Sequence, residues 1–95
     1  MFKAQAVVET PKASRYMKAL CNHFNRKVTA EYNDTEGNVQ FGFGDCQMNA
    51  NDTALTIHVQ ADNGENFGRV KAVVDSHLVR FVNNETLEIV WQDES

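Results

Sequence analysis

The sequence predicts an α+β fold, a two-layer sandwich in which two helices cover one face of an antiparallel sheet. Two stretches repeat apolar residues every three to four positions, and six shorter ones alternate apolar with polar residues. They follow one another as β-α-β-β-β-β-α-β. Each strand has one apolar side and each helix one apolar stripe, so both helices belong on the same face. Ninety-five residues make a single domain, 1–95, large enough for one core.

Phe2 to Glu9 alternates, with Phe2, Ala4, Ala6 and Val8 on one side, and reads as a half-buried strand. Thr10 to Arg26 reads as the first helix, with Thr10 as N-cap and Pro11 at the first helical position, where no amide donor is needed. At about 100° per residue, Ala13, Tyr16, Met17, Leu20, Cys21 and Phe24 share a face, opposite Arg15, Lys18, Asn22 and Arg26. Val28, Ala30 and Tyr32 form the inward side of a second strand, and Asn33, Asp34, Glu36, Gly37 and Asn38 supply turn chemistry.

Val39, Phe41 and Phe43 then point inward from a third strand, which Gly44 and Asp45 turn into a fourth carrying Cys46, Met48 and Ala50. Asn51 to Thr53 turn again before Leu55, Ile57, Val59 and Ala61 of a fifth. The second helix starts near Asp62, with Glu65 reaching back to complete a capping box. Its stripe is Phe67, Val70, Val74, Leu78 and Phe81, with His77 on the flank. Asn83 and Asn84 end it, and Leu87, Ile89 and Trp91 form a last strand, followed by a polar tail from Gln92 to Ser95. Trp91 is expected in the core, its indole N–H bonded to a carbonyl. This order resembles the β-α-β(4)-α arrangement of TATA-binding-protein-like folds, an analogy of topology that carries no DNA-binding claim.

The formal charge of −4 argues against nucleic acid, which selects a basic surface. No apolar run approaches the ~18 residues of a membrane span, so no membrane partner is expected. Two cysteines in apolar settings and no charged-then-apolar leader point to a reduced, cytoplasmic setting. The far side of the sheet should carry Lys3, Gln5, Glu31, Gln40, Gln47, Asn49, Thr56, His58, Gln60 and Glu88, a polar face that is solvated or meets a partner.

Cys21, His23, Cys46 and His77 are suitable residue types for zinc or iron, but Cys21-x-His23 on a helix points its members apart, so no metal site is assigned. A Cys21–Cys46 disulfide is formally open. A hydrolase-like Cys46–His77 or Cys21–His77 pair would need an exposed thiolate, whereas both thiols occupy apolar positions. Gly42 and Gly44 mark a turn and lack the following helix that a phosphate cradle needs. His23 and His77 lie on equivalent flanks of their helices, so neighbouring antiparallel helices turn both into one seam or both away from it; in the seam they would meet Tyr16, with Arg80 and Arg15 nearer solvent. Tyr16, His23, His77 and Arg80 are therefore the candidate ligand-binding set. The bland alternative is boundary residues satisfied by backbone carbonyls and carboxylates.

The pattern Arg15-Tyr16-x-x-x-Leu20-Cys21-x-His23-Phe24, then Gly44-x-Cys46-x-Met48, then His77-Leu78-x-Arg80-Phe81, with Trp91 near the end, resembles a bacterial family known as domain of unknown function number 2218. The resemblance spans almost the whole chain. It implies a stand-alone cytosolic domain of about this length, one also found appended to siderophore-interacting flavin reductases. Such company implies a link to iron and makes a siderophore-related reductase or a small ligand the expected partner. It supplies no catalytic residues and no cofactor.

The expectation is a non-enzymatic binding or accessory module linked to iron or siderophore metabolism. A small enzyme using Cys46 or the His23/His77 pair for acid–base or nucleophilic work is the first alternative. A structural homodimer joined through the polar sheet face is the second.

Overall fold

The computed structural model describes residues 2–81 and 91–93, with side chains through Leu78 and at Trp91 and Gln92. Strand β1 (Phe2–Glu9) leads into helix α1 (Ala13–Phe24). Strands β2 (Thr29–Tyr32), β3 (Glu36–Gln40), β4 (Asp45–Ala50) and β5 (Ala54–Ala61) follow, then helix α2 (Gly64–Phe81) and strand β6 (Trp91–Asp93). The sheet order is β2-β3-β4-β5-β1-β6, and every neighbouring pair is antiparallel.

Alternation explains the layering. Ala4 and Val8 of β1, Val39 of β3, Cys46 and Met48 of β4, and Leu55, Ile57 and Val59 of β5 are all buried in one cluster. Ala13, Tyr16, Met17, Leu20, Cys21 and Phe24 of α1 join them, as do Phe67, Val70, Val74 and Leu78 of α2. Both helices thus share the apolar side of the sheet and touch each other there. Among the described residues no helix is long and apolar enough to cross a membrane.

Several local expectations are corrected. Helix α1 begins two residues later than Pro11, with Lys12 at the cap position, because the Thr10 hydroxyl accepts the Lys12 amide and closes a local turn instead. It also ends at Phe24 rather than Arg26. Helix α2 is capped by Asn63, whose Oδ1 accepts the Asn66 amide, so the cap falls one residue after Asp62. The turn before β3 is only Asn33 to Thr35. Asn33 Oδ1 accepts the Thr35 and Glu36 amides at 2.9 and 2.8 Å, which satisfies the turn and leaves Glu36, Gly37 and Asn38 free to pair as strand. Asn51 repeats the motif on Thr53 and Ala54 before β5.

Strand β3 ends at Gln40, so Phe41 and Phe43 are turn residues and not the inward side of a strand. Gly42 takes φ of 89°, and the Phe41 amide donates to the Gly44 carbonyl across the reversal. Tyr32, expected inward, is exposed at the end of short β2. Trp91 packs against the core as expected, but its buried indole nitrogen has no hydrogen-bond partner among the described residues. The helix end at Asn83 and Asn84, the strand residues Leu87 and Ile89, and Glu88 lie outside the described residues.

Candidate functional site

Two elements distant in the chain build the seam between the helices. His23 occupies the last turn of α1 and His77 the fourth turn of α2, each one flank away from its helix's buried stripe. Their ring centroids lie 4.9 Å apart with the planes at 48°. Both side chains are half-buried. The Nδ1–H of His77 donates to the Val73 carbonyl at 2.7 Å, an i to i−4 bond along its own helix. That bond fixes the ring and leaves Nε2 as the acceptor nitrogen of the neutral imidazole.

Aromatic side chains form the floor. Phe24 lies 5.0 Å from His77 and 5.9 Å from His23, centroid to centroid. Its edge meets Phe41 at 5.1 Å and 82°, and Phe41 stacks on Phe43 at 5.5 Å. The Arg69 guanidinium covers the outer end, 4.3 Å from the Phe43 centroid. The Phe41–Gly44 turn therefore extends the seam from α1 and α2 to the strand ends where β3 passes into β4. Sequence reasoning missed Phe41, Phe43 and Arg69 because a strand reading turned the two phenylalanines into core; the signal that could have found them is Phe-Gly-Phe-Gly, a turn sequence with aromatic shoulders.

Of the remaining candidates, Tyr16 is buried with the core of α1, and Arg15 is exposed. The Arg80 side chain lies outside the described residues.

Neither thiol is placed for nucleophilic work. Cys21 is fully buried and Cys46 is 2% exposed, and both are free. Burial pushes the Cys21 thiol up to about 11. Cys46 is raised further, first by burial and then by the neighbouring Cys21. A nucleophile needs the opposite, a lowered value and access. Among the described residues no group of three or more His, Cys, Asp or Glu side chains converges on a common point.

A pH consequence follows. Both thiols titrate higher folded than unfolded, so the unfolded chain loses its protons first, and stability falls as pH rises. For Cys21 the window opens at the ordinary value of 9.0 and closes near 11. The unfolding free energy from urea titrations between pH 7.5 and 11 should decline by up to about 2 kcal/mol more in the native sequence than in Cys21→Ala. Equal declines would show that the thiol is not sealed.

On the opposite side of the sheet, register aligns one polar row across all six strands. Glu31 faces Asn38, Asn38 faces Gln47, Gln47 faces His58, His58 faces Gln5, and Gln5 faces Gln92. Lys3, Gln40, Asp45 and Gln60 flank this row and, with Glu31, Asn38, Gln47 and His58, line a shallow concavity. The face is polar, as expected from the alternation.

A family model described as an uncharacterized protein conserved in bacteria, DUF2218, matches residues 5–92. The chain belongs to this family. No curated protein matches the sequence. The DUF2218 chain is similar to a solved structure, the NMR structure of PA4090 from Pseudomonas aeruginosa, at 32% identity and a TM-score of 0.82. That likeness covers 97% of this DUF2218 chain and 96% of the other.

Proposed function

We propose that this protein is a non-enzymatic binding or accessory module that takes a small ligand at the helix seam, serving iron or siderophore handling. The observation that carries the reading is the 4.9 Å approach of His23 and His77, two half-buried imidazoles from different helices and 54 positions apart in sequence (77 − 23 = 54). Imidazoles offer both donor and acceptor nitrogens; buried Phe24 backs both rings, and the half-buried Phe41 and Phe43 that pack on from it offer flat apolar area. A few convergent polar groups on an aromatic surface is the usual composition of a small-molecule site. The buried thiols favour binding over nucleophilic chemistry. The link to iron rests on the family's appearance beside siderophore-interacting reductases; Tyr16 and Arg80 complete the proposed set.

The test is a titration of the isotope-labelled protein with a catecholate ferric siderophore and its gallium analogue, read by amide and imidazole NMR. Saturable shifts centred on His23, His77 and the Phe41–Gly44 turn are expected, reduced at least tenfold in apparent affinity by His77→Ala. Shifts confined to the polar sheet face, or none at millimolar ligand, would remove the reading.

A further inference from the structure

We propose that His23 and His77 form a two-histidine site for a borderline divalent transition metal of the zinc, nickel or copper class, leaving its other coordination positions open. The proposal rests on the binding-module reading and names the chemistry of the same seam. Three features of the pair support it.

The first is orientation. A histidine that ligates a metal almost always donates its other ring N–H to a carboxylate, a backbone carbonyl or water, which fixes the tautomer and raises the basicity of the ligating nitrogen. His77 is held in this way, its Nδ1–H on the Val73 carbonyl at 2.7 Å, so that Nε2 carries the available lone pair.

Spacing is the second. With metal–nitrogen bonds of about 2.0–2.1 Å and an imidazole nitrogen about 1.1 Å from its ring centre, an ion shared by two imidazoles lies about 3.2 Å from each centroid. Centroids 4.9 Å apart are compatible with such a shared ion, which would see the two rings about 100° apart, between the octahedral and tetrahedral angles. Rings that were stacked face to face, or separated by 7 Å or more, would not meet that condition; these are tilted by 48°.

The third is the setting. Phe24 packs against both rings and Phe41 against Phe24, so the imidazoles approach the ion with little rotational freedom and an apolar backing. Ligands already ordered by packing lose less entropy on coordination.

Among the described residues no third His, Cys, Asp or Glu joins the pair. The described residues thus supply two nitrogens, leaving further positions for water or an external chelator. Imidazole suits zinc, copper and nickel, and the Irving–Williams order places copper(II) tightest. Such a site recognises a metal complex with two exchangeable positions, a different chemistry from a metal locked in a four-ligand structural site.

The experiment uses the native full chain with zinc(II) and nickel(II) chloride, with no chelator present. Calorimetry should give one site per chain, weakened at least tenfold by His23→Gln and by His77→Gln and unchanged by His58→Gln, whose imidazole lies on the opposite sheet face. Long-range nitrogen–proton NMR of the imidazoles should show zinc shifting Nε2 of His77 while its Nδ1 stays protonated. The wild-type spectrum alone decides this point, so a variant that folds poorly does not obscure it. Absence of saturable binding at millimolar metal, an unaltered His77 Nε2, or full affinity in His77→Gln would overturn the metal site. If a metal-free ligand still shifts the seam while the bare ions do not, the binding-module reading stands and the metal proposal fails.

Discussion

Leu20→Ala is expected to lower the free energy of unfolding by about 2–5 kcal/mol, the range for emptying a leucine site in a packed core. Leu20 is fully buried on the face of α1 that meets the sheet, in the cluster with Met17, Val39 and Met48. The loss has two parts, the transfer of the missing methyl groups and the cavity their neighbours cannot close. Neighbours on the strands are tied by the ladder, so closure would have to come from flexible methionines, and Met17 and Met48 can supply only part of it. A domain of this size has about 5–14 kcal/mol to lose, so the change takes a large share. Thermal unfolding should fall by at least about 10 °C. A loss under about 1 kcal/mol by urea denaturation would mean that α1 is not seated on the sheet as described.

Gly44→Ala should cost about 1–3 kcal/mol for the opposite reason, too much matter instead of too little. A methyl group built on Gly44 comes 2.8 Å from the Gln60 carbonyl oxygen, 3.3 Å from Val70 Cβ and 3.5 Å from Ala61 Cβ. None of these is the loose end of a side chain. Gln60 is held in β5 opposite Asp45, and Val70 anchors the buried stripe of α2, so the clash can be relieved only by moving strand or helix backbone. Gly68→Ala is the natural control. Its new methyl meets nothing within 4 Å and it stands inside α2, so alanine there should stabilise by up to about 1 kcal/mol. Denaturant midpoints for the two variants should move in opposite directions; equal shifts would contradict the close approach of the Gly44 turn to β5 and α2.

Much of the architecture was legible because period and burial agree. The six buried residues of α1 are the six that fall on one side of a 3.6-residue wheel, and the inward members of β4 and β5 are those the alternation selects. Where reading failed, a single residue type had two uses. Gly37 looked like turn chemistry, yet it pairs with Met48 and lets α1 come close, since a methyl there would meet Cys21 Sγ at 2.9 Å. Phe41 and Phe43 looked like strand because aromatic alternation with glycine mimics it. Asp62 and Asn63 are both capping residues, and only the backbone shows which one caps.

The candidate site divides along the same line. That His23 and His77 could meet follows from their angular positions on two antiparallel cylinders. That Phe24 and the Phe41–Gly44 turn would line the same seam depends on where β3 stops, which the local sequence does not specify. Alternation alone places Gln5, Glu31, Gln47 and His58 on the polar face, but their alignment into one row with Asn38 and Gln92 follows only from the pairing register.

The position of β1 bears on how the chain is made. Its partners in β5 stand between 45 residues away (Glu9 to Ala54) and 59 residues away (Phe2 to Ala61). A nascent chain leaving the ribosome presents β1 first and its neighbours last, while the β2–β5 meander can pair as it emerges. Until Ala54 to Ala61 are free, the strand that will sit between β5 and β6 has an apolar side and two unsatisfied edges. Translation speed and holdase chaperones should therefore govern the yield of soluble protein more strongly than its final stability does.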